Sequence, residues 1–201
     1  MATREPQTIA FVLYPGITLL DLVGPLQVFS VLRGFNDRYQ PVVVAERIEP
    51  MPTDTPLTVT ADKTFAEVPD PTVVIVPGGG APTIKAMGNE AIRDYLRRAA
   101  ETSQIVGSVC TGAMILAAAG LLDGRKATTH WSHHRFLERL GARYRPERWV
   151  EDGKLITSAG VSAGIDMALA QVDRDMAEPV VAQWVQTQLA DRPELLARLR
   201  G

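Results

Sequence analysis

Hydrophobic positions along the chain fall into short solid runs separated by amphipathic stretches. Ile9-Ala10-Phe11-Val12-Leu13-Tyr14 is apolar without a break and stops at Pro15-Gly16, the pattern of a strand buried on both faces. Residues 20–32 then place Leu22, Leu26, Val28 and Phe29 on one side of a helix, with Pro25 in its first turn. Residues 41–45 predict a second strand. Residues 49–56 hold three prolines and predict a loop, leading to a short alternating stretch at 57–60. The strand signal at 72–76 is the clearest in the chain and runs straight into Pro77-Gly78-Gly79-Gly80.

A helix over 89–102, a strand over 105–109 and a helix over 112–119 follow, the last closed by Gly120 as a C-terminal cap. Asp123-Gly124 predicts a turn before a strand at 126–129, and a short helix covers 132–140. Two strands flank Asp152-Gly153 as a hairpin, and the tail over 162–199 reads as helical with breaks at Pro179 and Pro193. Strand and helix alternate over most of the chain. That order predicts a single α/β domain over residues 1–201, a mostly parallel sheet with helices on both faces. In such sheets functional groups gather beyond the carboxyl ends of the strands. Three segments fall there: residues 15–24, 77–80 and 110–112.

Composition narrows the function classes. With 46% hydrophobic and 22% charged residues, the chain reads as a packed globular protein. Its 21 basic residues are balanced by 23 acidic ones, and Arg97, Arg98, Arg198 and Arg200 lie among acids, so no nucleic-acid surface is expected. The longest apolar stretch, 113–122, is far short of the roughly 20 residues a membrane span needs. With no visible signal peptide, a cytoplasmic protein is expected. The single cysteine excludes an intrachain disulfide and every multi-cysteine metal site.

That cysteine, Cys110, joins an apolar strand to a small-residue helix through Thr111-Gly112. A sharp strand-to-helix turn exposes the side chain at its centre, and the following helix N-terminus favours thiolate over thiol. A lone cysteine is otherwise a small buried hydrophobe, but this position at a strand end favours chemistry. Gly78 and Gly79 can free backbone N–H groups to face developing charge, or form a plain turn; a phosphate loop is excluded because no Lys-Ser/Thr completes one. Asp21, flanked by leucines, is either the N-cap of the first helix or a carboxylate facing a site. Beside a thiolate it would be protonated and act as a proton donor. His130 closes another strand and either orients groups near Cys110 or is structural. His133 and His134 lack the further ligands of a zinc site, so no metal is expected.

These residues together resemble the ThiJ/PfpI superfamily, related to class I glutamine amidotransferase domains. The similarity runs from Ile9 to about Leu189, through Leu20-Asp21-Leu22-Val23-Gly24-Pro25, Val76-Pro77-Gly78-Gly79 and Ser108-Val109-Cys110-Thr111-Gly112. It continues through the 119–125 segment, Ala127-Thr128-Thr129-His130-Trp131 and the 158–166 segment. The resemblance implies a three-layer, doubly wound, flavodoxin-like sheet. Within the superfamily the chain looks most like the isonitrile hydratases and the sensor domain of AraC-type regulators. The protease-like branch places His after its cysteine, where Thr111 stands here, and the glyoxalase and deglycase branch keeps Glu where Asp21 stands.

Carried over, Cys110 would be the nucleophile, Asp21 and Thr111 would handle protons and water, and the amides of Gly79 and Thr111 would hold developing charge. Gly78, Gly79 and His130 would line the oxyanion and substrate side. The implied reaction hydrates an isonitrile to an N-substituted formamide through a cysteine thioimidate, with no cofactor or metal. A homodimer acting on a small molecule is expected, without nucleic acid or membrane as partner. The alternatives are a ligand-sensing domain, disfavoured because the chain stops at Gly201 without a helix-turn-helix unit, and a thiol-based stress protein.

Overall fold

The four continuous apolar runs at 9–14, 41–45, 72–76 and 105–109 all enter one sheet as neighbouring parallel strands. The computed structural model of the chain describes residues 6–172. From the amino end come β1 (Gln7–Val12), α1 (Leu19–Phe35), β2 (Tyr39–Ala45), β3 (Met51–Pro52), β4 (Thr58–Val59) and β5 (Lys63–Thr64). Next are β6 (Val73–Val76), α2 (Ala81–Gly88), α3 (Glu90–Thr102), β7 (Ile105–Val109) and α4 (Gly112–Ala118). After them stand β8 (Lys126–Ala127), α5 (His134–Arg139), β9 (Arg143–Tyr144), β10 (Trp149–Asp152) and β11 (Leu155–Ser158). Residues 161–172 are helical; the rest of the tail predicted as helix lies outside the described residues.

The main sheet has seven strands in the order β10-β11-β7-β6-β1-β2-β5. Only the edge strand β10 is antiparallel, paired to β11 across the Asp152-Gly153 turn as the sequence predicts. The crossover from β1 to β2 and that from β6 to β7 leave in opposite directions. Right-handed crossovers therefore put α1 on one face and α3 on the other. The helix at 161–172 lies beside α1, where Gly24 lets Ile165 approach closely. The result is the expected three-layer, doubly wound α/β fold. Phe11, Val76, Val106 and Leu116 are fully buried between the layers.

Several local expectations change. The predicted loop at 49–56 contributes β3, which pairs with β4 outside the main sheet. The strand at 126–129 shortens to β8 and pairs with β9, also outside it. Residues 81–88, unassigned in the sequence, form α2. Helix α1 starts at Leu19, so Pro25 falls in the second turn rather than the first. Lacking an N–H, Pro25 leaves the Asp21 carbonyl without its usual i+4 donor.

The switch point lies between β1 and β6, neighbours whose crossovers diverge, and sheets of this kind open their ligand crevice there. Asp21 follows β1, Gly78 follows β6 and Cys110 follows β7, so all three segments meet at one end of the sheet. Gly112 permits this meeting. A Cβ there would sit 2.1 Å from the Val76 carbonyl oxygen and 2.9 Å from that of Pro77. We expect Gly112→Ala to lower unfolding free energy by about 3 kcal/mol. Urea denaturation measures it; a variant as stable as wild type would mean that α4 does not need this close approach.

Candidate active site

Cys110 has φ 56°, the only positive φ among non-glycine residues in the described chain. Such backbone is costly for an L-residue and persists where the surroundings fix it. Here the Cys110 amide donates to Ser158 O at 3.0 Å, and its carbonyl accepts from Thr129 Oγ1 at 2.9 Å. The turn throws the side chain out of the strand line toward α1. Cys110 remains 7% exposed, while Asp21 is fully buried.

Asp21 is not the helix cap. Asp54, from the loop after β3, accepts from the Leu19 amide at 2.9 Å and takes that place. Asp21 sits one turn into α1 and points inward. Its Oδ2 accepts from the Gly78 amide at 3.2 Å, and the Cys110 thiol donates to the same carboxyl group. Its Oδ1 has no partner among the described residues. An unpaired, fully buried carboxyl oxygen is costly unless a ligand completes it.

The pair sets its own proton affinities. Burial pushes the Asp21 carboxyl up to about 6, against the thiol and Gly78 hydrogen bonds, which favour the carboxylate. Burial, and then the Asp21 charge, push the Cys110 thiol up to about 12, against the Thr111 amide and the nearby Thr111 hydroxyl, which favours thiolate when it turns its proton to sulfur. The thiolate expected at rest is therefore corrected: the shared proton sits on sulfur and the charge on Asp21. Desolvation outweighs the dipole of the short helix α4, which by itself favours thiolate.

The glycine loop also differs from expectation. The Gly78 amide is committed to Asp21, and the Gly79 amide donates to Thr111 Oγ1 at 3.1 Å. Neither is free to hold an oxyanion, so both act as props for the residues that face sulfur. A Cβ on Gly78 would lie 2.7 Å from Thr111 N and 2.8 Å from Asp21 Oδ2. His130 is close in sequence to the site, but its Nδ1 bonds Ser132 Oγ at 2.7 Å, and Ser132 Oγ bonds His133 Nδ1 at 2.8 Å. Its ring serves that surface cluster rather than the thiol. Burial, then His133, hold its pKa below the ordinary value.

Sequence reasoning missed Tyr14, Thr83 and Asp54. Tyr14 reads as the end of an apolar strand, and Thr83 stands in an unassigned stretch. The Tyr14 hydroxyl donates to Pro77 O at 2.9 Å and lies 3.3 Å from Thr83 Oγ1, which is 2.8 Å from Thr111 Oγ1. No signal in the sequence links three such distant hydroxyls. Among the described residues no three His, Cys, Asp or Glu side chains gather as metal ligands, and no helix is long and apolar enough to cross a membrane.

Residues 7–174 match the DJ-1/PfpI family. The chain belongs to that family. Within DJ-1/PfpI it is 40% identical over 185 residues to the isonitrile hydratase of Pseudomonas putida, covering 92% of this chain and 78% of that protein. It is 32% identical over 175 residues to the HTH-type transcriptional regulator GlxA of Rhizobium meliloti (strain 1021), covering 85% of this chain and 53% of the regulator. A THiJ/PfpI family protein from Pseudomonas syringae is 36% identical, with a TM-score of 0.79 over 84% of this chain and 69% of that one. Drosophila melanogaster DJ-1beta shares the fold at 22% identity, with a TM-score of 0.76 over 92% and 98% of the two chains.

The raised affinity of Asp21 has a stability consequence. Between 3.8 and about 6 the folded chain holds a proton that the unfolded chain releases, so this carboxyl costs stability as pH rises through that window. Asp21→Asn should therefore stabilise the protein at neutral pH by about 1–3 kcal/mol. That gain should shrink as the pH falls through the same window. Denaturation of both proteins along a pH series checks it; a pH-independent difference would contradict the buried-carboxylate assignment.

Proposed function

We propose that the protein is a cysteine-dependent isonitrile hydratase, converting R–N≡C and water to an N-substituted formamide. The observation that carries this reading is the buried thiol–carboxyl pair with one carboxyl oxygen left unpartnered. An isonitrile ends in a single slender carbon, which suits a sulfur that is only 7% exposed. That carbon accepts a nucleophile and a proton on the same atom, and the Asp21–Cys110 pair supplies both.

The chemistry balances with one shuttled proton. Asp21 takes the proton from the Cys110 sulfur as sulfur attacks the terminal carbon, then delivers it to that carbon. A thioimidate, R–N=CH–S–Cys, results. Water activated at Asp21 adds to the thioimidate carbon and the nitrogen is protonated. The C–S bond then breaks, with the proton returned to sulfur and R–NH–CHO released. Asp21 is thus base first and acid second, and its affinity near neutrality suits both duties.

The engaged glycine amides favour this reaction over acyl transfer. Acyl transfer builds an oxyanion that needs preorganised donors. Isonitrile addition builds charge on carbon, quenched at once by a proton. The similarity to the isonitrile hydratase of Pseudomonas putida supports the same reading. The assembly belonging to it is a cytoplasmic homodimer without cofactor. The similarity to GlxA favours a second reading, ligand sensing by the same pocket without turnover.

Purified protein should convert para-nitrophenyl isocyanide to its formamide, followed by chromatography. Cys110→Ala should abolish turnover and Asp21→Asn should lower kcat by about 10²-fold or more. Binding of isonitriles without formamide, in wild-type protein, would reject the hydratase in favour of the sensor.

A further inference from the structure

The hydrogen bonds around Thr111 admit a count. Three hydroxyls, those of Tyr14, Thr83 and Thr111, carry three protons and join in three bonds ending at the Pro77 carbonyl. A carbonyl only accepts, so the Tyr14 proton goes to Pro77 O. The Tyr14 oxygen then accepts from Thr83, and the Thr83 oxygen accepts from Thr111. The reverse order fails on Thr111 as well. Its two lone pairs already receive the Gly79 amide at 3.1 Å and the Gly80 amide at 3.3 Å. One direction satisfies every partner.

We propose that Thr83 and Tyr14 are positioning residues of the Cys110 site, whose hydroxyls form a one-way chain that holds the only proton of Thr111 away from sulfur. The inference rests on reading Cys110 as the reacting group, not on which substrate it takes. Thr111 also lies within reach of the Cys110 sulfur, where its hydroxyl would favour thiolate. One hydrogen cannot serve both acceptors. While it points to Thr83, sulfur keeps its proton and Asp21 alone exchanges protons with whatever enters. Thr111, expected from the resemblance to handle protons and water, becomes a saturated strut instead. Tyr14 anchors the far end, and burial holds its phenol protonated well above the ordinary range.

Among the described residues, few other titratable groups act on the sulfur or on its partner Asp21. Asp21 faces it from α1 and Tyr14 from the end of β1, while Asp54 acts on Asp21. Thr129 Oγ1 donates to the Cys110 carbonyl. Replacing Thr83 leaves each of these in place.

The test is the pH profile of Cys110 alkylation by iodoacetamide, read by mass spectrometry on the full chain. Thr83→Val removes the acceptor, releases the Thr111 proton to sulfur and shifts the profile to lower pH, with alkylation about tenfold faster at neutral pH. Thr83→Ser restores the hydroxyl and returns the profile to that of wild type. Tyr14→Phe, which removes the acceptor that orients the Thr83 hydroxyl and so loosens its hold on the Thr111 proton, shifts it in the same direction by less, and serves if Thr83→Val does not fold. Profiles of folded Thr83→Val and Tyr14→Phe that overlay wild type overturn the proposal. Because alkylation needs no isonitrile, a protein that fails to hydrate isonitriles rejects the hydratase and leaves this inference standing or falling on its own data.

Discussion

One interaction organises the site: a buried carboxyl group and a nearly buried thiol share a proton. Burial raises the proton affinity of both Asp21 and Cys110, yet not equally, so near neutrality the pair carries a single negative charge on oxygen. The hydrogen-bond donors nearby serve to keep that charge tolerable. The Gly78 amide and the thiol donate to Asp21, and α1 presents its N-terminal turn to the carboxylate. Asp54 works against it electrostatically while capping the same helix from outside.

The cost of this arrangement is visible in the backbone. Cys110 takes a left-handed conformation held by Ser158 and Thr129, and Gly112 presses α4 against the carbonyls that end β6. Both features bring the thiol of one strand end to the carboxyl group of another. The glycine loop after β6 lies between them, and its amides brace Asp21 and Thr111 instead of standing open. A site so braced is built to move a proton, and poorly built to receive an oxyanion. That distinction, more than the presence of a cysteine, underlies the proposal of isonitrile addition over acyl transfer.

The mostly parallel sheet and the meeting of three loops were readable because solid apolar runs can be buried only in a two-sided sheet, and alternation with helices makes that sheet parallel. The hairpin at Asp152-Gly153 was readable from its turn. Short elements were not. β3 and β8 pair outside the main sheet, and two-residue ladders leave no periodic trace. Helix α2 follows three glycines and holds only eight residues, too few for a pattern. The first helix was read one residue late, since Thr18 makes no side-chain cap and the capping carboxylate comes from Asp54, 35 residues beyond Leu19 in the chain.

By itself the sequence determined the α/β class, the three strand ends that converge, and the two candidate reacting residues, because each depends on local pattern or on residue type. The family assignment rests on those same segments. Only the tertiary structure decided where the shared proton lies, which amides are free and what Thr111 can do. Proton affinity follows from desolvation, and the direction of a hydroxyl chain follows from who stands beside whom. Tyr14, Thr83 and Thr111 are far apart along the chain, and packing alone makes them one circuit.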